Sequence, residues 1–154
     1  MTMRIVCGAI VAAVLAIGCD EPKTSDEAVD RGDTHRAMDR DERALDNYRD
    51  AVELQADNVE AYRRLGLLQL QRGNLTAARE AFLNALTLEP DSPTTHYRLG
   101  LTYVQMGNIG AARHQERVLR DMHRDRLENN QPIDPEIPVM ADQLAKLIEA
   151  APRR

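Results

Sequence analysis

Histidine and cysteine are the residue types in this 154-residue chain best suited to metal or nucleophile chemistry. The histidines stand at 35, 96, 114 and 123, with no His-x-x-x-His pair and no Cys partner. His114 and His123 are separated by about 13 Å along a helix at ~1.5 Å per residue, too far to share a metal. No phosphate-binding loop, dinucleotide fingerprint or Gly-x-Ser-x-Gly elbow occurs. Carboxylates are plentiful, 25 Asp and Glu against 20 Lys and Arg, but a charged helical surface pairs such residues without catalysis. No catalytic residue, metal or cofactor is expected. Cys7 and Cys19 lie in the first nineteen residues, so they build neither a disulfide framework nor a zinc site.

Cys19 has another chemistry within reach. The chain begins MTMRIVCGAIVAAVLAIGC, with Arg4 the only charge before Asp20. The apolar run Ile5 to Ile17 covers about 20 Å as a helix, short of the roughly 30 Å hydrocarbon core, and reads as a secretory signal peptide. Leu15-Ala16-Ile17-Gly18-Cys19 resembles the lipobox of bacterial lipoproteins. That resemblance implies a Cys19 thiol alkylated by diacylglycerol and cleavage that leaves Cys19 as the new N-terminus. The lipobox favours Leu three residues before the Cys, where this chain has Ala16. An ordinary signal peptide with an incidental Cys is the alternative. In the lipoprotein reading, 1–18 is the signal peptide and 19–24 a polar tether. Each buried acyl CH₂ contributes about 0.8 kcal/mol, so two or three chains anchor the protein stably. Asp20 resembles an inner-membrane retention signal of enteric bacteria. That rule varies between bacterial groups and leaves the choice of membrane open.

The elements that follow carry a period. Gly32, Gly66 and Gly100 are 34 residues apart, and so are Ala44, Ala78 and Ala112. Tyr48 returns as Phe82, Ala51 as Ala85, Ala56 as Pro90, and Gly73-Asn74 as Gly107-Asn108. Helical apolar spacing runs through Tyr62, Leu65, Leu68 and Leu70. Gly73 is a natural helix stop and Asn74 a natural N-cap. Ser92-Pro93 offers a cap and a first-turn Pro, and Thr24 with Glu27 fits a capping box. These signals predict helices at about 26–40, 42–55, 59–72, 75–88, 93–106 and 109–127. Pro132, Pro135 and Pro138 predict a linker over 128–138. A last helix is expected over about 139–150, with Met140, Leu144, Leu147 and Ile148 on its apolar face. Aromatics are only 3% of the chain, which speaks against an aromatic-lined cofactor pocket. Hydrophobic residues at 43% and charged residues at 29% suit a folded body.

A period of 34 with small residues at these places resembles the tetratricopeptide repeat, a helix-turn-helix unit. The resemblance implies an all-α solenoid of three units, 25–58, 59–92 and 93–127, followed by the C-terminal segment 139–154. The third unit departs from the pattern, with Glu116 where an aromatic is usual and Leu119 where Ala is usual. The first has Arg31 and His35 at usually apolar places. End units diverge because one face meets water.

Such a stack has a concave face lined by the first helix of each unit. By resemblance, its groove positions are Val29, Asp33 and Arg36, then Arg63, Leu67 and Leu70, then Tyr97, Leu101 and Val104. The family's carboxylate clamp for peptide C-termini needs Lys or Arg and Asn at set places. Here these are Val29 and Asp33, Arg63 and Leu67, Tyr97 and Leu101. Only Arg63 fits, so recognition of chaperone tails is not expected. The later groove reads as apolar and suits an apolar or amphipathic peptide. The alternative is that its apolar residues are buried by neighbouring helices. The last helix either caps the helix 109–127 or fills the groove.

Charge is uneven, with a net −8 over residues 19–60 and +2 over 61–154. Arg113, Arg117, Arg120 and Arg124 stripe one helix face and could meet anionic lipid or an acidic protein, although a solvated face is the default. The acidic balance and export signal disfavour nucleic acid. The reading is a non-catalytic lipoprotein of the bacterial cell envelope. Lipid on Cys19 would hold it to the inner or outer membrane, facing the periplasm, as a scaffold for other envelope proteins or peptides. Pilus or secretion assembly and cell-wall enzyme recruitment are the expected settings. The alternatives are a structural lipoprotein that self-associates as a homo-oligomer and an accessory subunit of an envelope enzyme.

Overall fold

The computed structural model of the chain describes Pro22 and residues 24–152. The signal peptide, Cys19 and most of the tether lie outside the described residues. Among the described residues there are α-helices and no strands: α1 (Ser25–Ala37), α2 (Asp41–Leu54), α3 (Val59–Gln71), α4 (Leu75–Leu88), α5 (Pro93–Gln105), α6 (Ile109–Glu128) and α7 (Glu136–Ala150). No helix among them is long and apolar enough to cross a membrane.

The local chemistry repeats with the sequence period. α1 packs on α2, α3 on α4 and α5 on α6, and each pair packs on the next. The turn inside each pair needs a left-handed residue. Asp39, Gly73 and Gly107 supply it, with φ of 55°, 77° and 73°. The backbone bonds recur in register. Arg40 N donates to His35 O, Asn74 N to Gln69 O and Asn108 N to Tyr103 O, each at 2.9 Å. This is the Schellman-like closure that satisfies last-turn carbonyls. The left-handed turn at Asp39 ends α1 at Ala37, earlier than the expected 40.

The N-caps are mixed. Thr24 Oγ1 accepts from Glu27 N at 3.2 Å, as the capping box predicts. Asn108 Oδ1 accepts from Ala111 N at 3.1 Å. Asn74 and Ser92 sit at N-cap positions without a side-chain cap bond. Asn74 Nδ2 donates instead to Gln69 Oε1 at 2.8 Å.

The core runs along the stack as four linked clusters, which is what a chain of nearest-neighbour units requires. Ala28, Val29, Ala51 and Ala61 form one. Ala44, Leu45, Tyr48 and Leu68 form the next, then Leu70, Ala78, Phe82 and Leu99. The last joins Ala112 and Leu119 of α6 to Ile137, Ala141, Leu144 and Ile148 of α7.

α7 corrects two expectations. It begins at Glu136 rather than 139, because Pro138 falls in its first turn, where a missing N–H breaks no intrahelical bond. Its buried face is Ile137, Ala141, Leu144 and Ile148; Leu147 is exposed and Met140 half-buried. Leu144 and Ile148 face the core as expected, Met140 and Leu147 do not, and Ile137 and Ala141 complete the buried face. α7 packs on both α5 and α6, as α5 does on α3 and α4. It therefore extends the stack by one further helix.

Candidate protein-binding groove

Contacts between α1 and α3 and between α3 and α5 bring the first helices of the units side by side. Their shared face holds the groove positions read from the sequence, and the structure divides them into two groups.

The apolar group is largely covered. Val29 is buried with Ala28, Ala51 and Ala61. Leu70 is buried with Ala78, Phe82 and Leu99. Tyr97, Leu101 and Val104 are half-buried and pack on the cluster that α7 completes. Tyr97 Oη also donates to Gln143 Oε1 on α7 at 2.9 Å. Only Leu67 is half-exposed and outside all four clusters.

The polar group forms a network across helices. Asp33 Oδ1 accepts from Tyr48 Oη at 2.6 Å, and Asp33 Oδ2 lies 3.3 Å from Arg64 Nη2. Burial first, and then the Asp33 carboxylate, push the Tyr48 phenol well above its ordinary pKa. Arg36 donates to Gln71 Oε1 at 2.9 Å. Arg63 donates to Ser92 Oγ at 3.0 Å and Thr95 Oγ1 at 3.2 Å and pairs with Glu89. Arg64 also pairs with Glu60 at 2.9 Å.

Arg98 joins this face from α5. It is half-buried, and burial lowers its pKa, with the charges of Arg64, Arg63 and Arg36 lowering it further. Neither Arg64 nor Arg98 was singled out in the sequence, although they are one 34-residue period apart. That recurrence was the signal that could have found them.

The arginine stripe of α6 lies elsewhere and is partly neutralised. Arg120 pairs with Glu116 and, at 3.1 Å, with Asp142 of α7. Arg124 pairs with Asp121 and, at 3.9 Å, with Glu128. Arg113 and Arg117 are exposed. Arg113 borders an open crevice of about 540 Å³ that Val104, Ile109, Ile148 and Pro152 also line. Among the described residues no cluster of three or more His, Cys, Asp or Glu could hold a metal.

Comparison with known proteins agrees with this geometry. A family model described as "TPR repeat" matches residues 32–73 and 69–107. Solved structures share the fold. The type III secretion chaperone SycD of Yersinia enterocolitica, in complex with a peptide of the translocator YopD, superposes with a TM-score of 0.69. Identity there is 12%, over 87% of this chain and 96% of that one. PcrH of Pseudomonas aeruginosa, in complex with the chaperone binding region of PopD, has a TM-score of 0.66 and 13% identity, over 82% of this chain and 89% of that one. The first TPR of Spaghetti (RPAP3), bound to the HSP90 peptide SRMEEVD, has a TM-score of 0.67 and 12% identity, over 84% and 94% of the chains. No curated protein matches the chain.

Proposed function

The chain carries tetratricopeptide repeats within an all-α solenoid, and from that premise we propose that it is a lipid-anchored scaffold of the bacterial envelope that binds a partner protein in its groove. The carrying observation is the open strip of Asp33, Arg36, Arg63, Leu67 and Arg98 along α1, α3 and α5. These half-exposed side chains remain after the core has taken its own apolar residues. A strip that crosses three helices suits an extended peptide segment better than a small molecule. Similar folds in complex with peptides favour the same reading.

Anchoring rests on the sequence alone, on Gly18-Cys19 at the end of the apolar run. With lipid on Cys19, the groove is held near a membrane, which raises the local concentration of whatever it binds. The work of the protein is then positioning, not bond-making.

In-cell photocrosslinking from Leu67 in the native host, followed by mass spectrometry, tests the groove. One dominant envelope protein supports the reading. Crosslinks confined to the chain itself, or none, overturn it. Membrane fractionation of Cys19→Ser tests the anchor, with release from the membrane fraction as the expected result. Equal membrane retention of the variant overturns the anchor.

A further inference from the structure

We propose that one edge of the stack, formed by the starts of α1, α3 and α5 and the ends of α2, α4 and α6, is a membrane-docking surface seated on zwitterionic headgroups of the leaflet that anchors the chain. The inference rests on the Cys19 anchor proposed above and adds the contact and orientation that the anchor imposes on the body.

The edge is continuous. Ser25 Oγ at the start of α1 donates to Ala51 O near the end of α2, at 2.7 Å. Asn58 Nδ2, just before α3, donates to Ser25 Oγ at 2.7 Å. Arg63 of α3 donates to Ser92 Oγ, just before α5, at 3.0 Å and pairs with Glu89 just past α4. The turns at Gly73 and Gly107 lie at the other ends of these helices.

The point of attachment holds this edge close to the bilayer. Pro22 lines a shallow recess with Asp50, Glu53 and Leu54 at the end of α2. Cys19 is three positions before Pro22, a reach of about 11 Å when fully extended. The headgroup zone on one side of a bilayer is itself ~5–8 Å deep. A body held so closely meets the surface with the side that carries Pro22. So short a link also keeps the effective concentration near the millimolar range, so a weak contact is populated.

The side chains on this edge suit such a contact. Among the described residues eight large apolar side chains are exposed, and four of them, Leu54, Leu88, Leu127 and Ile133, sit here. Leu54 and Leu88 are one 34-residue period apart. Each can enter the boundary between headgroups and acyl chains without unpacking the core. Charge then chooses the lipid. Segments 24–27, 50–58, 86–94 and 124–136 carry 11 carboxylates and two arginines. Segments 35–43, 69–77, 103–113 and 147–152, on the opposite edge, carry four carboxylates and five arginines. An anionic leaflet repels the first set over a Debye length of ~8 Å. A zwitterionic headgroup with an ammonium offers it hydrogen-bond donors instead. Seated this way, α1, α3 and α5 rise from the surface, and the groove strip that crosses them runs along it. A partner segment then binds parallel to the bilayer.

The test uses the mature lipidated chain in vesicles of phosphatidylethanolamine and phosphatidylcholine that carry a nitroxide-labelled lipid. With Cys19 alkylated and Cys7 removed with the signal peptide, one introduced cysteine takes a fluorophore cleanly. Thr94→Cys and Gln131→Cys report on the docking edge, and Thr76→Cys, in the first turn of α4, reports on the opposite one; all three positions are exposed. Emission is expected to be quenched at the first two and kept at the third. Leu54→Asp, Leu88→Asp and Leu127→Asp together should restore it at an unchanged melting temperature, since all three leucines are exposed. Phosphatidylglycerol added to the vesicles should restore it as well. Emission kept at all three positions, in protein that floats with the vesicles, overturns the docking and leaves the anchor standing. Equal quenching at all three overturns the orientation. Quenching that persists in the triple aspartate variant, or grows with phosphatidylglycerol, overturns the surface assigned here. Protein that does not float with the vesicles overturns the anchor itself, and the docking with it.

Discussion

Leu144 of α7 lies against Gly100 of α5, in the place that Tyr48 takes against Gly32 and Phe82 against Gly66. In the first two units an aromatic ring of the second helix covers the glycine of the first. A Cβ at Gly66 would lie 2.7 Å from Phe82 Cε1, and one at Gly32 2.6 Å from Tyr48 Cδ1. The third unit has Glu116 where the ring should be, half-buried and paired with Arg120. The gap is closed from outside the unit, by a leucine 44 residues further along the chain. α7 is therefore a structural completion of the third repeat.

Gly100→Ala should destabilise the protein by about 1–3 kcal/mol, since its Cβ would overlap a fully buried Leu144 side chain. Leu144→Ala alone should cost about 2–5 kcal/mol by leaving a cavity. The double variant should be less destabilised than the sum, because the smaller side chain makes room for the new methyl. Urea titration of the four proteins measures the coupling; strict additivity would mean the two residues do not share the space.

Deletion of residues 136–154 should lower the melting temperature sharply and promote aggregation. It uncovers Tyr97, Leu101, Ile109 and Leu119, which α7 now helps to bury. A truncated chain that melts at the full-length temperature would show that α7 is dispensable for the stability of the repeats.

Tyr48→Phe should cost about 1.5–3 kcal/mol near neutral pH, because it removes the hydrogen bond of Tyr48 to the charged Asp33. It also predicts a pH signature. The phenol's pKa is raised in the folded state, by burial first and then by the Asp33 hydrogen bond. Its contribution is fully present below the unfolded value of about 10 and is lost as pH rises from there through the folded value. Urea midpoints at rising alkaline pH should therefore fall more steeply for the parent chain than for Tyr48→Phe.

Asp39→Gly should stabilise the chain by about 0.5–1 kcal/mol. Asp39 holds φ at 55° where the two later units use glycine, and glycine adopts that conformation without the steric cost of a Cβ. Differential scanning calorimetry would detect the gain, and a drop in melting temperature would mean that the Asp39 side chain compensates for its strain.

Much of the fold was legible before any coordinates. The 34-residue period, the helix pairs and the turn residues Gly73 and Gly107 follow from signals only a few residues wide. The groove was legible in position but not in character. Leu70, Tyr97, Leu101 and Val104 read as an apolar lining, yet their fate depended on which helices covered them. Arg98 was overlooked although it recurs one 34-residue period after Arg64, because which arginines find a counter-ion is decided by packing.

What the sequence determined by itself is the set of local events: where helices start and stop, and that they recur at one spacing. Backbone capping and steric rules act over three to five residues, so each unit carries its own instructions. What only the tertiary structure decided is how unlike residues substitute for one another across units. Leu144 stands in for a ring over Gly100, and Asp33 of the first unit pairs with Arg64 of the second. Both are relations between residues more than 30 positions apart, and they exist only once the helices pack and bring those residues together.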